Sequence, residues 1–241
     1  MGSESKMAIV KVPRSMLASV IRCAEAIGAD VIPIESSSDG WGMTIADTAH
    51  IAMLKIFISM HRFQEFQCPE EFRFAVKTAK LRSTLKMIPD ESLSIEVNEW
   101  GCSIAGARVR CNVSNVAMYS AEKLRFPKID LPVAVVLDTK ELIPVVSASL
   151  SDVITIGCSP EGLKVIMKAD GLEHDDITFH DSEVVSDVSA ESQYPAPYVV
   201  NALKALPSTV LLSMSSDYPM TLSATEPFDI TYLLAPRIEE D

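Results

Sequence analysis

The chain has 241 residues, 48% of them apolar, and a formal net charge of −12. That length suits one large domain or two of roughly 120 residues, and the apolar share can bury a sizeable core. No apolar run reaches the roughly 18 residues of a membrane span, and the acid excess excludes wrapping nucleic acid with the whole surface.

Residues Met1–Lys6 are polar, lack the apolar stretch of a secretory signal, and read as a loose tail. Leu17, Val20, Ile21 and Ala24 then form the stripe of an amphipathic helix with Arg22 on the opposite side. Val31-Ile32-Pro33-Ile34 leads through Ser36-Ser37-Ser38-Asp39-Gly40 into a second strand, the pattern of a hairpin with a polar turn. Residues 77–88 predict a basic helix with Leu81, Leu85 and Ile88 on one face. Arg82 and Lys86 fall on the other face, Lys80 on a flank, and Lys77 opens the segment. Such a helix is either a solvated basic face or a phosphate-contacting one. Lysine and arginine neutralise phosphates without reading bases, so any DNA contact here would be non-specific and salt-sensitive. No helix-turn-helix, zinc-finger or RNA-recognition signature points to base readout.

Period-two patterns at Leu93–Val97, Leu163–Met167, Val210–Met214 and Phe228–Leu234 predict further strands. Between them, residues 121–132 carry two prolines and mixed charge, the composition of a connector. Its apolar Leu124, Phe126 and Ile129 need something to pack on. A third helix over residues 139–150 offers only Lys140, and Pro144 is expected to disturb its first turns.

The two halves echo one another. Val31 to Gly40 lines up with Val153 to Gly162, Leu85-Lys86-Met87-Ile88-Pro89 with Leu203-Lys204-Ala205-Leu206-Pro207, and Leu17, Val20 and Ile21 with Leu142, Val145 and Val146. Three matches in one order at nearly one spacing indicate an internal duplication. Each half reads as strand, helix, several strands, short helix, several strands. Two β-rich domains with two helices apiece follow, an α+β architecture. The charge is not duplicated: residues 1–129 carry 16 basic and 14 acidic side chains, whereas residues 130–241 carry 5 and 19. A DNA-facing surface must therefore be a local patch, drawn mostly from the first half.

Little in the sequence suggests catalysis. Five cysteines without a C-x-x-C pair indicate neither a disulfide framework nor a zinc site, and His174-x5-His180 matches no common ligand spacing. Asp47-Thr48-Ala49 resembles the Asp-Thr-Gly of aspartic proteases. A second carboxylate would have to share its proton, and the nearest candidate, Asp138, opens a helix.

The tail Leu233-Leu234-Ala235-Pro236-Arg237-Ile238-Glu239-Glu240-Asp241, the segment Ser208-Thr209-Val210-Leu211-Leu212-Ser213-Met214-Ser215 with Pro219 after it, and Asp47 and His50 within residues 45–51 together resemble the archaeal and eukaryotic sliding clamps of the proliferating cell nuclear antigen (PCNA) family. The resemblance runs from about Ile9 to Asp241. It implies the DNA-clamp fold: an N-terminal domain (1–118), a connector (119–133) and a C-terminal domain (134–241), with two helices per domain on the inner face of a pseudo-sixfold ring. Three such chains would encircle double-stranded DNA, as a homotrimer or as one member of a heterotrimer. The ring would tether DNA polymerase, clamp loader and other clients, without cofactor, metal or catalysis of its own. A checkpoint-type clamp of the same fold is the alternative. Its place would be the nucleoid of an archaeal cytoplasm or a eukaryotic nucleus.

The DNA-facing cations are expected at Arg22, Lys77, Lys80, Arg82, Lys86 and Lys204; of these, Lys86 and Lys204 stand where the resemblance implies basic residues on the second and fourth helices, and the third helix departs from that pattern. The resemblance implies a pocket for a short apolar-aromatic client peptide from Ala46, Ile51, Leu124, Phe126, Pro219, Leu233, Ala235, Pro236 and Ile238. Subunits would join edge to edge through Ala107, Val109, Cys111 and Val113 on one strand and Ile177, Phe179 and Asp181 on another, capping two sheet edges that would otherwise be open.

Overall fold

The computed structural model describes residues 8–98, 100–116, 123–160, 162–168, 174–179, 183–184 and 188–237. Burial alternates along its strands. In β1 (Ala8–Pro13), Ala8, Val10 and Val12 are buried while Lys11 is exposed, the period of a pleated strand with one face on a core. The period changes at once in α1 (Arg14–Ala26), where Met16, Leu17, Val20, Ile21, Cys23 and Ala24 are buried.

There follow β2 (Val31–Ser37), β3 (Gly40–Ala46), β4 (Ala52–Ser59), a 3-10 turn at Met60–Arg62, β5 (Glu65–Gln67), β6 (Phe72–Lys77), α2 (Thr78–Met87), β7 (Ser92–Asn98), β8 (Gly101–Ala105) and β9 (Arg110–Ser114). The second half repeats the scheme with β10 (Val133–Asp138), α3 (Thr139–Ala148), β11 (Val153–Ser159), β12 (Gly162–Lys168), β13 (His174–Phe179), β14 (Glu183–Val184), β15 (Ala190–Pro195), α4 (Ala196–Ala205), β16 (Thr209–Met214), β17 (Met220–Ala224) and β18 (Asp229–Leu234). From Lys123 to Pro132 the connector is neither helix nor strand.

The chain divides into two compact units. One comprises Met1–Ala46, Leu54–Phe126 and Pro227–Ile230; the other comprises Asp47–Met53, Pro127–Glu226 and Thr231–Asp241. The first unit holds a five-stranded sheet, β5-β1-β7-β8-β9, and the run β4-β3-β2-β6. The second holds a four-stranded sheet, β13-β12-β11-β15, and the run β14-β10-β16-β17-β18. Trp41 anchors the first core, packing edge-on to Phe63 and Phe74 with ring centroids 5.2 and 5.9 Å away. In the second core Tyr194 is fully buried and its hydroxyl donates to the Tyr218 carbonyl at 2.8 Å.

The duplication extends to backbone conformation. Gly40 opens β3 with φ 141° and Gly162 opens β12 with φ 138°, a region that L side chains rarely enter. A Cβ on Gly40 would also stand 2.0 Å from the Ile58 carbonyl oxygen. Both α2 and α4 stop at a residue held extended by the proline after it, Ile88 (ψ 99°) and Leu206 (ψ 162°). Each helix also begins against the far end of its partner. The Arg14 amide donates to the Glu91 carbonyl and the Thr78 amide to that of Asp30. In the second unit the Thr139 amide donates to Ser208 and that of Ala196 to Asp152, all four bonds spanning 2.7–2.9 Å. Four orphan N–H groups at helix starts are satisfied in this way.

Three sequence expectations change. Lys77 is the last residue of β6 and stands just before α2, without a side-chain capping bond, because the helix begins at Thr78. Pro144 does not break α3. It sits inside a continuous helix whose start is fixed by the Asp138 carboxylate accepting the Lys140 amide at 2.8 Å, a side-chain cap that offsets the donor missing at proline. Ala107 and Val109 lie not on a strand but in the turn before β9, where the Gly106 amide donates to the Val109 carbonyl.

Candidate functional site

The cations of the first unit stand where the helical period puts them. Leu81, Thr84 and Leu85 are buried on α2, whereas Lys80, Arg82 and Lys86 are exposed. Arg22 is exposed on α1 and donates to the Ser19 hydroxyl. One neighbour was not legible in the local sequence: Glu25 of α1 pairs with Arg82 at 3.1 Å. The acid-free stretch of α2 is thus partly neutralised from the adjacent helix, leaving Lys80 and Lys86 as its cations without a carboxylate in ion-pair range among the described residues. In the second unit Lys204 is exposed in the last turn of α4 and Lys140 in the first turn of α3.

A second constellation gathers around Asp47, which is only 7% exposed. One carboxylate oxygen accepts the amides of Ile51 and Ala52 at 2.8 and 2.9 Å; the other accepts the Ala49 amide at 3.3 Å and the Tyr198 hydroxyl at 2.8 Å. These donors hold a tight turn in which His50 adopts φ 56°. The turn then presents the Ile51 carbonyl, which accepts the Ala235 amide at 2.8 Å. Beyond Pro236, which has no N–H to give, the Arg237 amide donates to Gln193 at 2.8 Å. The tail is therefore fixed on both sides of its proline. Tyr198 escaped the sequence reading because it lies 151 residues from Asp47. Its bond to the carboxylate, and secondarily its partial burial, raise the phenol above its ordinary pKa.

Asp47 and Asp138 have separate partners, a packed turn and a helix start, so neither presents the shared-proton geometry of a protease dyad. Burial pushes the Cys102 thiol up to about 12 and raises that of Cys158, which keeps both protonated. Among the described residues no cluster of metal-ligating side chains occurs; His180 lies outside them.

No family model matches the chain. It is 25% identical over 224 residues to the DNA polymerase sliding clamp 1 of Sulfolobus acidocaldarius, a match spanning 85% of this chain and 89% of that protein. It is 23% identical to the DNA polymerase sliding clamp of Thermoplasma acidophilum, spanning 84% and 87%. Among solved structures, A. fulgidus PCNA bound to the C-terminal region of FEN-1 superposes with a TM-score of 0.85 at 21% identity, covering 97% of this chain and all of that one. The PCNA2–PCNA3 complex of Sulfolobus tokodaii gives 0.80 at 22%, covering 96% and 100%. The chain is thus similar over most of its length to several DNA polymerase sliding clamps. Its fold is the α+β DNA-clamp fold.

The residues expected to form the client pocket fall in both units. Ile51, Pro219, Leu233, Ala235 and Pro236 belong to the second, where the structure joins Ile51 to Ala235 directly. Leu233 is buried and the other four are half-exposed. Ala46, Leu124 and Phe126 belong to the first unit, and Leu124 is 41% exposed. Ile238 lies outside the described residues. Both strands matched to the subunit contact end their sheets: β9 closes one side of the five-stranded sheet and β13 one side of the four-stranded sheet. Their exposed backbone groups are templates for another strand. On β9, Cys111 is half-exposed, but Val113 is buried in its own unit, so it faces the core rather than a neighbour. Ile177 and Phe179 lie on β13; Asp181 lies outside the described residues.

Proposed function

We propose that this chain is one subunit of a ring that encloses duplex DNA and tethers DNA polymerase and other DNA-processing enzymes to it. The observation that carries the reading is a match to most of the length of named DNA polymerase sliding clamps. The clamp of A. fulgidus was solved with a FEN-1 tail in place, which supports client capture by a short peptide. A closed ring cannot leave its duplex sideways, so processivity needs no tight grip. Exposed cations on α1, α2 and α4 would make weak, sliding phosphate contacts, while the acid excess elsewhere would repel DNA. Tethering raises a client's effective concentration at the primer end. The role is non-catalytic, and its place is wherever the cell keeps its DNA.

The ring is read as three copies joined head to tail, β9 of one chain against β13 of the next. The S. tokodaii complex of two different PCNA chains makes a mixed ring the second reading. The test is retention on closed circular DNA, after loading, against release on linearisation, with polymerase run length read in parallel. Retention on the circle alone, with longer products, is the expected result. Equal retention on both forms would refute encirclement. Light scattering of the pure chain separates a homotrimer from a subunit that needs sisters.

A further inference from the structure

The first described residue of the connector, Lys123, is anchored. Its ammonium lies 2.7 Å from Glu35 Oε2, and the other oxygen of the same carboxylate lies 3.2 Å from Arg73 Nη2. Glu35 and Arg73 are direct cross-strand partners on β2 and β6, so the guanidinium fixes the carboxylate's orientation before the lysine arrives. The strand beneath is tied to the core: Ser36, the next residue, is buried and accepts the indole N–H of Trp41 at 3.1 Å. Glu71 lines the same surface depression but is not within ion-pair distance of Lys123 among the described residues, so Glu35 is the anchoring carboxylate.

Leu124 follows this anchor immediately, and Phe126 stands three residues on, within about 11 Å of extended chain. We propose that Glu35, oriented by Arg73, is a positioning residue: through Lys123 it fixes where the connector starts, and so where Leu124 and Phe126 meet a client peptide. The inference rests on reading those two residues as part of the client pocket. The three side chains are 35–57% exposed, so the latch is screened by salt and its effect is modest.

The test uses the full chain. In Lys123→Glu a second carboxylate faces Glu35. In Glu35→Gln the charge is lost at nearly constant shape. In the triple inversion Glu35→Lys, Arg73→Glu, Lys123→Glu every sign is reversed and the attraction returns. Hydrogen–deuterium exchange over residues 123–130 reads the connector without any client. Calorimetry with a synthetic peptide of the FEN-1 C-terminal region reads the pocket. Both single substitutions should speed exchange and weaken the peptide about threefold at ~0.05 M salt, with the difference fading at ~0.5 M, and the triple inversion should restore both. Unchanged exchange in Lys123→Glu and Glu35→Gln overturns the proposal, as does a folded triple variant with the exchange of the single ones. Altered exchange with no peptide binding even by the unsubstituted chain would keep the latch and remove the pocket reading instead.

Discussion

Replacing Tyr198 by phenylalanine deletes one oxygen and leaves the ring. In the structure that oxygen supplies one of four hydrogen bonds to Asp47, at 2.8 Å. A hydrogen bond to a charged acceptor contributes about 1.5–3 kcal/mol. Tyr198 is half-exposed and water can partly replace its hydroxyl, so the loss falls to the bottom of that range or just below it, about 1–1.5 kcal/mol. Asp47→Ala is a larger perturbation, since it strands the amides of Ile51 and Ala52 as well; at 1–3 kcal/mol per unsatisfied buried donor the loss should reach about 3–4 kcal/mol. The double variant should cost little more than Asp47→Ala alone, because the hydroxyl then has no carboxylate to serve. Urea unfolding at constant slope measures all three, and amide exchange at Ile51 and Ala52 locates the loosening. Additive effects of the two substitutions, or a Tyr198→Phe variant as stable as the parent, would refute the assignment of Asp47 as the hub of this turn.

Alanine at Lys80, Arg82 and Lys86 together should leave assembly intact, weaken DNA association at low salt and flatten its dependence on log salt; an unchanged slope would remove α2 from the DNA contact. Because Glu25 neutralises Arg82, Glu25→Gln should act in the opposite direction and lengthen retention in the same assay. Phe126→Ala should weaken a FEN-1-type peptide roughly tenfold, an effect of about 1.4 kcal/mol, with no change in the melting of the free chain; calorimetry at wild-type affinity would exclude Phe126 from the pocket. Tyr194, pushed up to about 12 chiefly by burial, titrates later in the folded chain than in the unfolded one. Its stabilisation is full below the unfolded value near 10 and is lost as pH rises towards about 12. Tyr194→Phe should therefore flatten the fall in stability across that alkaline window, as followed by urea midpoints, at some cost at neutral pH from the lost bond to Tyr218.

Local patterns are sufficient where short-range physics decides the outcome. The matched hairpin words around Gly40 and Gly162 have one backbone solution, a positive φ, and both halves adopt it. Proline sets the ends of α2 and α4 because the residue before it is driven out of the helical region. Where distant groups decide, the local sequence is not sufficient. Lys77 looked helical by charge continuity, yet strand pairing with Val31 retains it in β6. Pro144 looked like a breaker, but the Asp138 cap and burial of Leu142 and Val146 hold α3 through it. The aligned Val145 is only half-buried, unlike Val20, so this part of the duplication is looser than its letters suggest. Of the functional constellations, the cations on α2 were visible in the period. Their counter-charge Glu25, the Tyr198 bond to Asp47 and the carboxylate beneath Lys123 were not, since each joins side chains tens to well over a hundred residues apart.

The reciprocal ties at the helix starts bear on how the molecule comes apart. In each unit, the first amide of either helix is bonded to a carbonyl just past the end of the other, so freeing one helix exposes donors on both. Neither can fray alone from that end, and the pair should open as one cooperative block. The amides of Arg14 and Thr78 should consequently exchange together, those of Thr139 and Ala196 together, and the two sets on separate clocks.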